Sequence, residues 1–265
     1  MAGQLKDVYR NRYLLWSFIR ADLRNRYGAS FLGFFWSVIN PLLLILLYTL
    51  VFGYILDINV GGNAGPKNYG LFLFSGMLPW LAVSDATQRA STVILENRDL
   101  VKQVRFPKIM LPLRCVISAF IHELVALLVF LAILVVFNQP PLPVMLATLV
   151  AIWPLQLLFT TGLCLFVASV TVFYKDAREL TTALLTLWFF ATPVIFPVDV
   201  IPKEIGLFFF FNPLTPLMNL HRAALLGNEV PDLYGFAYFA LFSIMLFIFG
   251  WVWFKKMARD FADLI

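Results

Sequence analysis

Charged side chains are scarce in this 265-residue chain, at 13%, where a soluble domain carries about a quarter. A surface so poor in charge cannot be wetted, which excludes an ordinary water-soluble domain. Cysteine is also scarce: Cys115 and Cys164 both sit in apolar runs, so no disulfide framework and no cysteine-based metal spacing is available. No Gly-x-x-x-x-Gly-Lys-Ser/Thr occurs. The run Gly61-Gly62-Asn63-Ala64-Gly65-Pro66-Lys67 has the wrong spacing for a phosphate cradle, so any nucleotide energy must come from another chain. Asp-x-Asp, His-Glu-x-x-His and Gly-x-Ser-x-Gly are absent as well, and no cofactor or metal site is expected. What the chain has instead is apolar residue: 61% hydrophobic and 17% aromatic, far from a disordered composition.

The apolar residues gather into stretches long enough for helices across a bilayer core, which needs about 20 residues each. Six are read: 31–56, a second from 70 whose uncharged part ends before Asp85, 115–137, 145–173, 180–198 and 233–254. None holds Lys or Arg, and Glu123, beside His122, is their one acid. A charge at mid-membrane costs about 3 kcal/mol on insertion scales, which accounts for the clearance. Adjacent residues on a helix point about 100° apart, so His122 and Glu123 form no built dyad; hydrogen bonding inside the bundle is the favoured role for the acid. Of the 20 Lys and Arg, all but Lys67, Lys203 and Arg222 fall on one side of a six-span arrangement. That asymmetry predicts both termini in the cytoplasm. The first 27 residues are cationic throughout, and no cleavable leader is expected.

Three segments outside the spans carry pattern. In the N-terminal residues, 1–28, Leu5, Val8, Leu15, Trp16, Ile19 and Leu23 recur at helical spacing, with Lys6, Arg10, Arg20 and Arg24 on a second stripe. This predicts an amphipathic helix in the headgroup layer, apolar side down, ended by Gly28. At 96–106, Asn97 can cap a short helix and Asp99 suits its first turn; Leu100, Val101 and Val104 form one face, and Arg98, Lys102 and Arg105 another. The shape is that of a docking knob, although a solvated basic loop has the same composition. At 205–226 an apolar run is broken by Asn212, Pro213, Pro216, Asn219, His221 and Arg222. A pair of short re-entrant helices at the outer side fits it better than a seventh span, which would move Lys255, Lys256 and Arg259 to the cation-poor side.

Taken together, these pieces resemble the permease subunits of ABC-type polysaccharide exporters. Four stretches carry the likeness: Arg26-Tyr27-Gly28 through Ser30, Leu32-Gly33 and Trp36 to Asn40-Pro41; Asn97-Arg98-Asp99-Leu100-Val101 on to Phe106-Pro107 and Leu111-Pro112; Tyr174-Lys175-Asp176 with Thr192-Pro193-Val194-Ile195; and Asn212-Pro213-Leu214-Thr215-Pro216 with Arg222. The resemblance implies an all-α membrane protein of six transmembrane helices in 29–265, with an interface helix before them and a re-entrant pair before the last. It implies a non-catalytic subunit of a bacterial inner membrane, working as a homodimer above two copies of a separate ATPase. ATP and Mg would be bound there, and the cargo would be a lipid-linked O-antigen, capsule or teichoic-acid polymer; no nucleic acid is involved. The ATPase-docking residues would be Asn97, Asp99, Leu100, Val101, Val104 and Arg105. The outer re-entrant segment would be marked by Phe210, Asn212, Pro213, Pro216 and Arg222.

A sliding, mostly uncharged polymer needs a wide path with weak, repeated holding sites. Aromatic faces supply these, and the candidates are Tyr48, Phe52, Trp188, Phe189 and Phe196, although Trp and Tyr near span ends also serve as ordinary interfacial anchors. A permease of the same build for a smaller drug or lipid is the nearest alternative. A membrane-embedded enzyme of lipid-linked sugars would need paired carboxylates or a metal site, which the sequence lacks, and a passive channel would need no ATPase.

Overall fold

The computed structural model describes residues 2–27, 36–56, 66–104, 106–137, 143–227 and 232–264. Gly28, Ser30, Leu32, Gly33, the glycines at 61–65 and Arg105 lie outside the described residues. Every regular element among those described is helical. In chain order they are α1 (Ala2–Arg10), α2 (Arg12–Tyr27), α3 (Trp36–Tyr48) continued by a π-helical turn (Thr49–Ile55), α4 (Pro66–Glu96), α5 (Arg98–Gln103), α6 (Met110–Val136), α7 (Pro143–Phe173), α8 (Ala177–Phe190), a 3₁₀ turn (Val198–Val200), α9 (Lys203–Phe211), α10 (Leu214–Leu226), α11 (Leu233–Met257) and α12 (Phe261–Leu264). Proline opens α4 and α7, where its missing N–H would be unpaired anyway.

Among the described residues, three helices are long and apolar enough to cross a membrane: Met110–Val136, Ala147–Phe173 and Leu233–Met257. Helix α4 has 31 residues but is polar at one end, through Asp85, Arg89 and Glu96. It is the central helix of the bundle, buried continuously from Leu71 to Trp80 and packed on α6, α7, α8 and α10. Its buried hydroxyls are silenced by its own carbonyls: Ser75 Oγ donates to Phe72 O at 2.8 Å, Thr87 Oγ1 to Val83 O at 2.7 Å and Ser91 Oγ to Gln88 O at 2.6 Å. Outwardly these positions behave as apolar.

Two apolar clusters fill the bundle, one toward each end. The first joins Tyr69, Leu73, Phe130, Leu149, Phe159, Leu217 and Phe239; the second joins Ala90, Val116, Cys164, Ala168, Trp251, Phe254 and Phe261. Between them α7 and α11 cross at a backbone-to-backbone contact. A Cβ on Gly250 would stand 2.2 Å from Gly162 O, and one on Gly162 would stand 2.6 Å from Leu246 O. In lipid, where oily surface gives no net drive between helices, such close approach is what packing rests on.

The stretch read as a fifth span, 180–198, is not helical throughout. Helix α8 stops at Phe190 after 14 residues, about 21 Å at 1.5 Å per residue and short of a core about 30 Å thick. Pro193 and Pro197 forbid its continuation. The carbonyls this break leaves open are taken by side chains from elsewhere in the fold: Tyr69 Oη donates to Ile195 O at 2.6 Å, Arg222 Nη2 to Val194 O at 2.8 Å and Asn212 Nδ2 to Ala191 O at 2.8 Å. Irregular backbone is tolerated in an apolar setting on that condition.

Candidate functional site: an aromatic cleft with a buried polar wall

Helices α3, α4, α6 and α8 border a cleft of about 880 Å³. Its rings are Trp36 and Tyr48 from α3, Trp80 from α4, and Phe189 and Phe190 from α8. Tyr48 and Phe189 stack with centroids 6.3 Å apart, and Trp80 lies 5.4 Å from Phe189. Polar groups lie among them: Ser84, Asp85, Gln88, His122, Glu123, Thr182 and Thr186. Gln88 Nε2 donates to Thr182 Oγ1 at 2.7 Å, pinning α4 to α8 along one edge. Rings with hydroxyls and amides offer apolar faces and hydrogen bonds together, and no described lining residue is Lys or Arg.

Of the five aromatic candidates, Tyr48 and Phe189 border this cleft. Phe52 instead stacks on Tyr69 at 6.2 Å, Phe196 meets Phe209 edge-on at 5.8 Å, and Trp188 packs on Phe159 at 6.3 Å. Trp188 Nε1 donates to Asn212 Oδ1 at 3.0 Å. The rings the sequence reading missed, Trp36, Trp80 and Phe190, carry no local signal separating them from anchors or core.

The sequence set Glu123 beside His122. In the fold, His122 borders the cleft, while the close partners of Glu123 come from far along the chain. Gln156 Nε2 from α7 donates to Glu123 Oε2 at 2.6 Å, and His221 Nε2 from α10 stands 3.5 Å from Glu123 Oε1. His221 Nδ1 is 3.0 Å from Leu217 O, which only accepts, so Nδ1 carries a proton. Three helices are thereby tied through a buried acid at the cleft wall.

Arg222 was counted among the cations of the outer side. It does not reach the surface: it is 8% exposed, its guanidinium carbon lies 3.7 Å from the centroid of the Phe72 ring, and Gly76 leaves the room it occupies. Asn212 beside it is a hub. Its Oδ1 accepts from Trp188 Nε1 and from Leu214 N at 3.0 Å, and its Nδ2 donates to Ala191 O and to Thr192 Oγ1 at 2.9 Å. Asn212→Ala strands these buried partners and is expected to cost about 2 kcal/mol, read as a lower thermal midpoint of the detergent-solubilised chain. Pro213 and Pro216 are buried beside it, whereas Phe210 on α9 is exposed, as are Phe208 and Phe211.

At the opposite end, α5 matches the expected short helix, with two corrections. Asn97 occupies the cap position, but its side chain does not cap; Nδ2 donates backward to Val93 O at 2.7 Å, holding α4 to its own end. Val101 is turned inward, 4% exposed, and Leu100 packs partly against the second cluster. The outward face consists of Arg98, Asp99, Lys102, Gln103 and Val104. Pairing Leu100, Val101 and Val104 on one helical face overlooked that Val104 is already extended backbone.

The N-terminal segment also differs from expectation. Ile19 is 2% exposed, and Val8 and Phe18 pack on the second cluster, so this side of the two helices faces the bundle. Trp16, placed on the same apolar stripe by the sequence reading, is exposed. Arg89 lies within α4 and locks α2 down: Nη1 donates to Asp22 Oδ2 at 2.5 Å, Nε to Asp85 Oδ2 at 3.1 Å and Nη2 to Cys115 O at 2.8 Å. Asp85 borders the cleft, so one guanidinium joins α2 to the cleft wall.

The chain is 32% identical over 268 residues, the full length of both, to the O-antigen export system permease protein RfbA of Myxococcus xanthus. It is 24% identical over 230 residues to the polysialic acid transport protein KpsM of Escherichia coli, covering 86% of this chain and 87% of that one. It is 20% identical over 254 residues to the capsule polysaccharide export inner-membrane protein CtrC of Neisseria meningitidis serogroup B, covering 94% and 92%. Residues 13–226, from α2 to the end of α10, match the family described as ABC-2 type transporter, and the chain belongs to that family.

Proposed function

We propose that this chain is the membrane permease subunit of an ATP-driven exporter that carries a polysaccharide, O-antigen or capsule in kind, out across the inner membrane. The observation that carries this reading is the end-to-end match to an O-antigen export permease. The cleft agrees in chemistry, since stacked rings beside hydroxyls and amides suit the apolar faces and hydroxyl edges of sugars.

The finer reading is as follows. Six spans bring both termini to the cytoplasm; α9 and α10 form the outer re-entrant pair; residues 1–28 are the interface helix and 29–265 the permease unit. Two copies make the path, and two copies of a separate ATPase, holding ATP and Mg, engage α5. This chain itself performs no hydrolysis. Asp22–Arg89–Asp85 supports a coupling route, because movement at the interface helix bears directly on a cleft residue.

Export in a strain whose own permease gene is deleted tests the reading. Tyr48→Ala with Phe189→Ala is expected to lower surface polymer about tenfold, equivalent to two stacking contacts of roughly 0.7 kcal/mol each, while the protein level in the membrane stays unchanged. Undiminished polymer would remove the cleft from the path, and failure of the unsubstituted chain to restore any polymer would remove the function.

A further inference from the structure

Because α2 turns Phe18 and Ile19 to the bundle, it presents a second stripe outward for which the permease function has no use. Tyr13, Trp16 and Arg20 on α2 follow at spacings of three and four and so lie along one face, and Tyr9 stands at the end of α1, just before the turn at Asn11. Tyr9 is 71%, Tyr13 76% and Trp16 51% exposed. The arginines are stacked on these rings: the Arg12 guanidinium carbon stands 5.0 Å from the Tyr9 centroid and 4.8 Å from that of Tyr13, and Arg20 stands 6.0 Å from Trp16. Lys6, Arg10 and Arg24 are exposed nearby. Of the two carboxylates on α1 and α2, Asp7 is exposed, while Asp22 is turned inward onto Arg89.

We propose that this face docks anionic phospholipid headgroups. The chemistry is complementary on both counts. Tyr and Trp present apolar rings with one polar edge, which suits the headgroup boundary. Guanidinium forks pair with phosphate, and stacking on the rings holds them ready, so less side-chain freedom is lost on binding. Charge is lopsided in the right sense, with five exposed cations against Asp7. The level is also right. Phe18 packs edge-on to Phe106 at 5.9 Å and Arg114 sits over Phe18 at 5.9 Å, so α2 is held where the apolar helix α6 begins. That point is the edge of the hydrocarbon for a helix that crosses it. The inference needs only the membrane setting of α6 and stands apart from the identity of the cargo.

The test uses the full-length chain in nanodiscs of phosphatidylcholine with increasing phosphatidylglycerol. Tyr13→Cys carries an environment-sensitive fluorophore; the native Cys115 and Cys164 are buried. The emission is expected to move to the blue as phosphatidylglycerol rises, and added salt is expected to reverse the move. In the Arg12→Gln, Arg20→Gln variant the phosphatidylglycerol content at half-shift is expected to rise severalfold. An emission that ignores lipid charge and salt overturns the proposal. So does an emission that moves only when the ATPase subunit is added, which would assign the face to that protein. The salt titration on the parent carries the test by itself if the double variant is poorly produced.

Discussion

Gly250→Leu is expected to leave little folded protein. The first added carbon would stand 2.2 Å from Gly162 O, and the obstacle is backbone, which cannot rotate aside as a side-chain tip can. Overpacking in a well-filled core usually costs about 1–3 kcal/mol, and here relief requires α7 and α11 to part along their length. The loss should exceed that range, and a thermal scan of the solubilised chain, read by size exclusion, should show aggregate where the parent elutes as a single species. Gly206→Ala is the control, because nothing lies within 4 Å of a Cβ there; its midpoint should match the parent. Equal midpoints for Gly250→Leu and the parent would refute the close crossing.

Lys102→Glu with Val104→Asp is expected to abolish export while leaving the permease folded. Both side chains are exposed at the end of α5 and contribute little to the bundle. Misplaced charge within an interface costs several kcal/mol, so capture of the ATPase should fall on the order of a hundredfold. Val101→Asp is the informative contrast. It buries a carboxylate in the second cluster, so protein level should fall along with export. If the outward pair left ATPase capture and export intact, α5 would not be the docking element.

The helical, membrane-crossing character of the chain was legible in its sequence because it depends on local composition: an apolar run declares itself. Length along the bundle was less legible. The run 180–198 carries no charge, yet α8 ends at Phe190; Pro193 and Pro197 were the signal, outweighed by hydropathy. Long-range pairings had no signal at all. Nothing in the neighbourhood of Glu123 points to a histidine 98 residues later, and nothing around Gly162 names Gly250. Of the N-terminal stripe, Ile19 and Val8 turn to the bundle while Trp16 is exposed, and composition could not sort them because protein and lipid reward the same apolar face. Asp22, the acid that seats the helix through Arg89, was the residue that could have decided it.

The hydrogen bonds that close the backbone after α8 bear on how the molecule can open. Ala191, Val194 and Ile195 are each held by a different side chain, from the turn before α10, from α10 and from α4. Prising α8 away would bare all three oxygens to oil at once, at about 1–3 kcal/mol apiece. The far tip of α8 is therefore welded to its neighbours and must travel with them as one piece. Compliance is left to the opposite bank, where α3 slackens into its wider π turn.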